Sequence, residues 1–150
     1  MLIHKLTSAE CEKVLARTRL GRLACSRDNQ PYIVPISFYF APNDRCLFSF
    51  STVGQKIEWM RTNPKVCIEA DEIIDRFEWL TVLVLGRYEE IKRTNSKNAE
   101  MERARELLQN RPTWWLPGAA TLDDGTEHAT PVFYRIAIDT LTGRRAEQPR

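Results

Sequence analysis

One strand-to-helix junction concentrates the residue types best able to hold a ligand. Ser49-Phe-Ser-Thr52 is followed by Gly54-Gln-Lys56, so hydroxyls, a glycine and an ammonium group meet where a helix begins. The first turn of a helix leaves backbone N–H groups unpaired and carries the positive end of the peptide dipoles. With a lysine beside it, such a turn can cradle a phosphate. Taken alone, the commoner meaning of the string is a helix capped by Ser or Thr with its lysine in solvent. Phe38, Phe48, Phe50, Trp79, Trp114 and Trp115 could line a pocket for a flat conjugated ring. Most aromatics in a domain of this size are core. Trp114 and Trp115 stand apart, because they lie between Pro112 and Pro117 in a stretch without regular periodicity. There they could cover a ligand or a neighbouring subunit.

Other chemistries find little support. There is no Gly-x-Ser-x-Gly elbow, His-Glu-x-x-His pair or Walker-type phosphate loop. His128, flanked by Glu127 and Thr130, reads as a solvated loop histidine, and Glu89-Glu90 and Asp123-Asp124 read as exposed charges. No residue is therefore assigned as catalytic. The only histidines, His4 and His128, have no partner at metal-ligand spacing, so no metal is expected. Cys11, Cys25, Cys46 and Cys67 are widely spaced, without a Cys-x-x-Cys pair, and read as buried free thiols. The 22 basic and 20 acidic side chains leave a net charge of +2, which points to neither nucleic acid nor a membrane surface. No apolar run reaches the roughly 18 residues of a membrane span. Met1–Glu10 turns polar too soon for a signal peptide, so a cytoplasmic protein is the expectation.

The elements that must position the junction read as follows. Thr7 and Glu10 can form a capping box for a helix with Cys11, Val14 and Leu15 on one face, closed by Gly21. Leu23–Ser26, Tyr32–Phe40 and Cys46–Ser51 read as successive strands separated by turn residues. Pro35 cannot donate to a ladder, so its strand belongs at an edge, at a bulge or against a ligand. A short helix carries Ile57 and Met60 and stops at Asn63-Pro64. Lys65–Ala70 is a strand, and Trp79–Leu85, the most apolar segment, reads as a central buried strand continuing to Glu90. Asn98–Gln109 is an amphipathic helix with Met101, Ala104, Leu107 and Leu108 as its stripe. Residues 110–131 read as a long connection, Val132–Ile138 as the last strand, and the tail from about 143 as flexible. At 150 residues, with 43% hydrophobic and 28% charged residues, this is one domain. The fold class is α+β: a six-stranded antiparallel split β-barrel with flanking helices.

Leu20-Gly-Arg-Leu-Ala24, Gln30–Ile36, Leu47–Ser51 with Gly54-Gln-Lys56, Asn63–Val66, Trp79–Arg87 and Tyr134–Gly143 follow one another in an order that resembles the flavin-binding split-barrel family. That family includes pyridoxamine 5′-phosphate oxidases and nitroimidazole-resistance proteins. The resemblance implies FMN bound in a homodimer, with the cofactor at the subunit interface. By position, Val34, Pro35, Ile36 and Ser37 would run beside the ring, and Ser49, Phe50 and Ser51 would lie near the ring and ribityl chain. Gln55 and Lys56 would hold the phosphate, Thr81 would reach the polar edge of the ring, and Trp115 would come across from the partner, with Trp114 beside it. The chain also departs from its relatives. Gln55 stands where the oxidases carry arginine, Phe50 where nitroimidazole-resistance proteins carry a small residue, and Arg135-Ile-Ala137 lacks the histidine of the oxidase's Arg-x-His motif. True pyridoxamine 5′-phosphate oxidase activity is therefore not expected.

The leading expectation is an FMN-dependent oxidoreductase acting on a small molecule, with NAD(P)H as one candidate electron donor. In such an enzyme the cofactor carries the chemistry and the protein supplies binding and orientation, so the missing acid–base pair is no obstacle. The alternatives are a non-catalytic flavin store or sensor, a haem or deazaflavin binder in the same groove, and a structural dimeric barrel in which Lys56 merely borders a helix cap.

Overall fold

The computed structural model describes residues 1–92, 98–109 and 131–149. The chain order is β1 (Leu2–Lys5), α1 (Ser8–Arg17), β2 (Leu20–Arg27), β3 (Gln30–Ser37), β4 (Tyr39–Ala41), β5 (Cys46–Ser51), α2 (Gln55–Thr62), β6 (Lys65–Ile73), β7 (Trp79–Glu90), α3 (Asn98–Gln109) and β8 (Val132–Glu147). Eight strands form one antiparallel sheet in the order β3-β2-β6-β7-β8-β5-β4, with β1 on β8. The terminal strands β3 and β4 are successive in the chain, separated only by Phe38. The sheet must therefore curl until its two ends meet. No ladder joins β3 to β4 among the described residues, so the curl rests on the covalent link and the core, not on hydrogen-bonded closure.

Local chemistry explains most elements. The Thr7 N–H donates to Glu10 Oε2 at 2.8 Å while the Glu10 N–H donates back to Thr7 Oγ1, which fixes the start of α1. Cys11, Val14 and Leu15 are buried beneath it. Asp28 and Asn29 both adopt left-handed backbone, the conformation a tight β2–β3 hairpin demands. Asn63 stops α2, and its side-chain amide donates to the Ser26 carbonyl at 3.1 Å. One core cluster, including Leu23, Phe38, Ile57, Met60, Ile68 and Tyr134, fills the curl. A second joins α3 to β4, β5 and β8 through Phe48, Ala104, Leu108 and Phe133.

Several expectations are corrected. The described residues hold eight strands, not the expected six: β1 adds one, and the run Tyr32–Phe40 divides at Phe38 into β3 and β4. The α1 helix ends at Arg17, with Thr18 bonding back to the Val14 carbonyl, and Gly21 lies in β2. A Cβ on Gly21 would sit 3.0 Å from the Phe38 ring, so this glycine makes room for the residue that joins the sheet's ends. Beyond residue 143 the chain is still strand: β8 runs to Glu147, pairing with β1 as far as Glu147 and with β7 as far as Ala146. The strand β7 is central but buried on one face only: Leu83 is 39% and Leu85 46% exposed. An unbroken apolar run cannot tell a strand covered on both faces by its own chain from one whose second face awaits another cover. Cys11, Cys25 and Cys46 are buried free thiols, while Cys67 is only partly buried.

The register between β7 and β8 shifts at Leu85/Gly86, where the strands approach closely. A Cβ on Gly86 would meet the Ala137 carbonyl well inside van der Waals contact and Ile136 Cγ2 at 2.8 Å. Gly86→Ala should therefore destabilise the fold by ~1–3 kcal/mol, read as a lower urea midpoint. An unchanged midpoint would mean that this strand crossing is loose.

Candidate functional site

The seam where the sheet's ends meet is open on one side. A groove of about 320 Å³ lies between the edge of β3 (Val34, Pro35, Ile36, Ser37) and the end of β5 (Ser49, Phe50, Ser51, Thr52), with Lys56 at one end. Pro35 belongs here because β3 is a terminal strand, where a missing ladder donor is tolerated. The seam is tied across by one bond, from Ser49 Oγ to the Ser37 carbonyl at 2.7 Å. Ser51 Oγ donates to the Thr52 carbonyl at 3.0 Å, so it does not cap α2. Phe50 stacks on Phe133 with centroids 5.6 Å apart and closes the wall toward β8.

Among the described residues, three polar features at the groove lack protein partners. Ser37 Oγ is buried and makes no hydrogen bond, as is the Tyr134 hydroxyl in the core nearby. Burial pushes the Tyr134 phenol up to about 12, opposed by the neighbouring Ser49 hydroxyl, although no bond in good geometry joins the two. Buried polar atoms without partners are rare and costly, so Ser37 signals a missing ligand atom or water. The N-cap of α2 is Gly54, with no side-chain cap bond, which leaves the first-turn N–H groups open. Finally, Lys56 is half-buried, and no carboxylate among the described residues pairs with it. Desolvation holds its ammonium below the usual lysine range, with the Cys25 thiol pulling weakly the other way. These are not the features of a capped helix with a solvated lysine. They fit a phosphate-bearing ligand with polar groups along a flat body. The groove's lining holds no histidine, cysteine or methionine to serve as an axial haem ligand among the described residues.

Of the expected site residues, Val34, Pro35, Ile36, Ser37, Ser49, Phe50, Ser51 and Lys56 are brought together in this one groove. Gln55 is exposed on the first turn of α2 and does not line it. Thr81 lies on β7, in register with Asp71 and Arg144, on the sheet face that carries the exposed Leu83 and Leu85. Trp114, Trp115 and His128 fall outside the described residues. Two contributors went unassigned. Thr52 lines the groove as the last hydroxyl of a string already noted, and Phe133 backs Phe50 through a cross-strand register that no local pattern reveals. No helix among the described residues is long and apolar enough to cross a membrane.

The chain is similar in sequence and structure to several known proteins. Residues 7–145 match the family model described as pyridoxamine 5′-phosphate oxidase. An uncharacterised protein of Rhizobium meliloti (strain 1021) is 39% identical over 151 residues, covering 97% of each chain. A crystal structure described as a FAD-binding protein of Mesorhizobium loti is 39% identical, with a TM-score of 0.82 over 98% of this chain and 100% of that one. A FAD-binding protein of Mycobacterium smegmatis shares the fold at 23% identity, with a TM-score of 0.69 over 95% of this chain and 98% of that one. With nearly its whole length matched, the chain belongs to the pyridoxamine 5′-phosphate oxidase family.

Proposed function

We propose that this chain binds a flavin nucleotide in the seam groove and acts through it as an oxidoreductase on a small molecule, working as a homodimer. The observation that carries the reading is the half-buried Lys56 ammonium at the open start of α2, without a carboxylate partner among the described residues. A cation desolvated without a counter-ion is costly unless an anion completes the site. A flavin phosphate would do so, held by Lys56 and the first-turn N–H groups. The Ser37 and Ser49 hydroxyls would orient the ribityl chain and ring, and the β3 main chain would run along the ring. Phe50, stacked on Phe133, keeps water from that wall. When bound, a flavin supplies hydride and single-electron chemistry, which is why the lining needs no acid–base pair. We take the nucleotide to be FMN, as the resemblance to the flavin-binding split-barrel family implies. FAD is the second reading, favoured by the Mesorhizobium loti relative described as FAD-binding.

The dimer reading rests on the uncovered face of the sheet. Ile33 (63% exposed), Leu85 and Leu83 form an apolar stripe there, with Ala24 and Cys67 between Ile33 and Leu85 in register. Exposed apolar stripes of this kind mark interfaces. A second copy would cover them and bring its Thr81, on the same face, toward the neighbouring cofactor. Leu85→Lys should convert the dimer to a monomer in light scattering after size exclusion, and an unchanged mass would place the interface elsewhere.

Lys56→Met separates ligand binding from stability. In the flavin-free protein, a depressed lysine pKa means the unfolded chain holds more protons between that value and the usual lysine range. Wild-type stability should therefore rise with pH through that window. The Met variant should lose this slope, melt higher at neutral pH, and bind flavin ~1–3 kcal/mol more weakly by fluorescence quenching. Ser37→Ala should likewise leave flavin-free stability unharmed while weakening flavin binding. Flavin affinity untouched by both changes would remove the groove from function. Normal flavin binding without turnover of any nicotinamide donor would favour a flavin store over an enzyme.

A further inference from the structure

A second cavity, of about 340 Å³, lies behind the Phe50–Phe133 pair. Phe50 and Ser51 line the seam groove, and their register partners Phe133 and Val132 line this cavity, so the two share one strand-pair wall. Its apolar side is formed by Ile91, Met101, Val132 and Phe133, and its charged side by Lys92, Arg105 and Glu90. Glu90 is already neutralised. Its two oxygens accept from Arg61 at 2.8 and 2.9 Å, and Tyr88 adds a third bond at 2.9 Å. Those bonds hold its carboxyl below the usual range. Arg105, by contrast, has its guanidinium 5.7 Å from the Phe133 ring centroid. Among the described residues, no carboxylate forms an ion pair with Arg105 or Lys92, although α3's other arginine, Arg103, is paired with Asp44. The cavity thus combines an apolar body with Arg105, which has no ion pair among the described residues, and Lys92, whose charge also acts on Glu90.

We propose that this cavity is an anion-selective subsite for molecules with a flat apolar body and one carboxylate or comparable acidic group, gripped by Arg105 with Lys92 at the rim. Its preference for anions does not rest on the flavin reading. A guanidinium over an aromatic ring offers a planar fork to a carboxylate while the ring packs the ligand's body.

The probe is 2-naphthoate against its uncharged analogue 2-naphthamide, titrated by calorimetry into the full-length protein with and without added flavin. Naphthoate should bind about tenfold more tightly than the amide, the scale of one charge-assisted contact. Arg105→Gln should erase that preference, Arg105→Lys should keep part of it, and Lys92→Gln, at an exposed position, should narrow it without disturbing the fold. Lys56→Met should weaken flavin binding yet retain the preference. A protein that takes up no flavin but still discriminates through Arg105 keeps this subsite and sinks the flavin reading. Equal binding of acid and amide, or a preference that follows Lys56 instead of Arg105, overturns the subsite.

Discussion

The structure depends on a covalent constraint: the two ends of the sheet are neighbours in the chain. Because Phe38 alone separates β3 from β4, strands at opposite ends of the ladder must come together without a ladder between them. Phe38 drives its ring into the core over Gly21, and its N–H donates to the Arg19 carbonyl at 3.2 Å. The seam so made has unpaired backbone along β3 and hydroxyls along β5, tied by the Ser49–Ser37 bond. A fully laddered barrel would have no such opening. The groove is a consequence of how the sheet ends, and the ligand reading follows from what lines it.

That lining is poorly satisfied by the protein itself. Among the described residues, a buried hydroxyl without a partner, a helix start without a side-chain cap and a half-buried lysine without a counter-ion all occur at one groove. Each costs stability in the empty protein. Elsewhere several half-exposed charges find partners: Arg22 bridges Glu69 and Asp71, Arg61 grips Glu90, and Arg135 joins Glu89 to Glu100. Three unsatisfied polar features converging on one groove are the physical argument that the groove is built for a ligand.

Much of this was legible in the sequence, for identifiable reasons. The hydroxyls before Gly54-Gln-Lys56 are local to one helix start, and Ser49, Ser51, Thr52 and Lys56 do line one groove, while the Thr7–Glu10 box is equally local. Pro35 narrowed its strand to an edge, a bulge or a ligand contact, because it has no N–H to give a ladder, and β3 is a terminal strand. What stayed hidden depends on distant partners. Gly21 looked like a helix cap, since the Phe38 ring that requires it is remote in sequence. The burial of β7 was overread because Leu83 and Leu85 are apolar for a face the chain itself leaves bare. The basic tail gave no sign that β1 would pair with it as far as Glu147 and β7 as far as Ala146.

The most direct test of the account is an absorbance spectrum of the purified protein, followed by heat release and mass determination of whatever is freed. The account predicts an oxidised-flavin spectrum and a released flavin nucleotide, FMN or FAD, that rebinds to the wild type and far less to Lys56→Met. A colourless protein that takes up neither nucleotide would contradict it and leave the half-buried Lys56 unexplained.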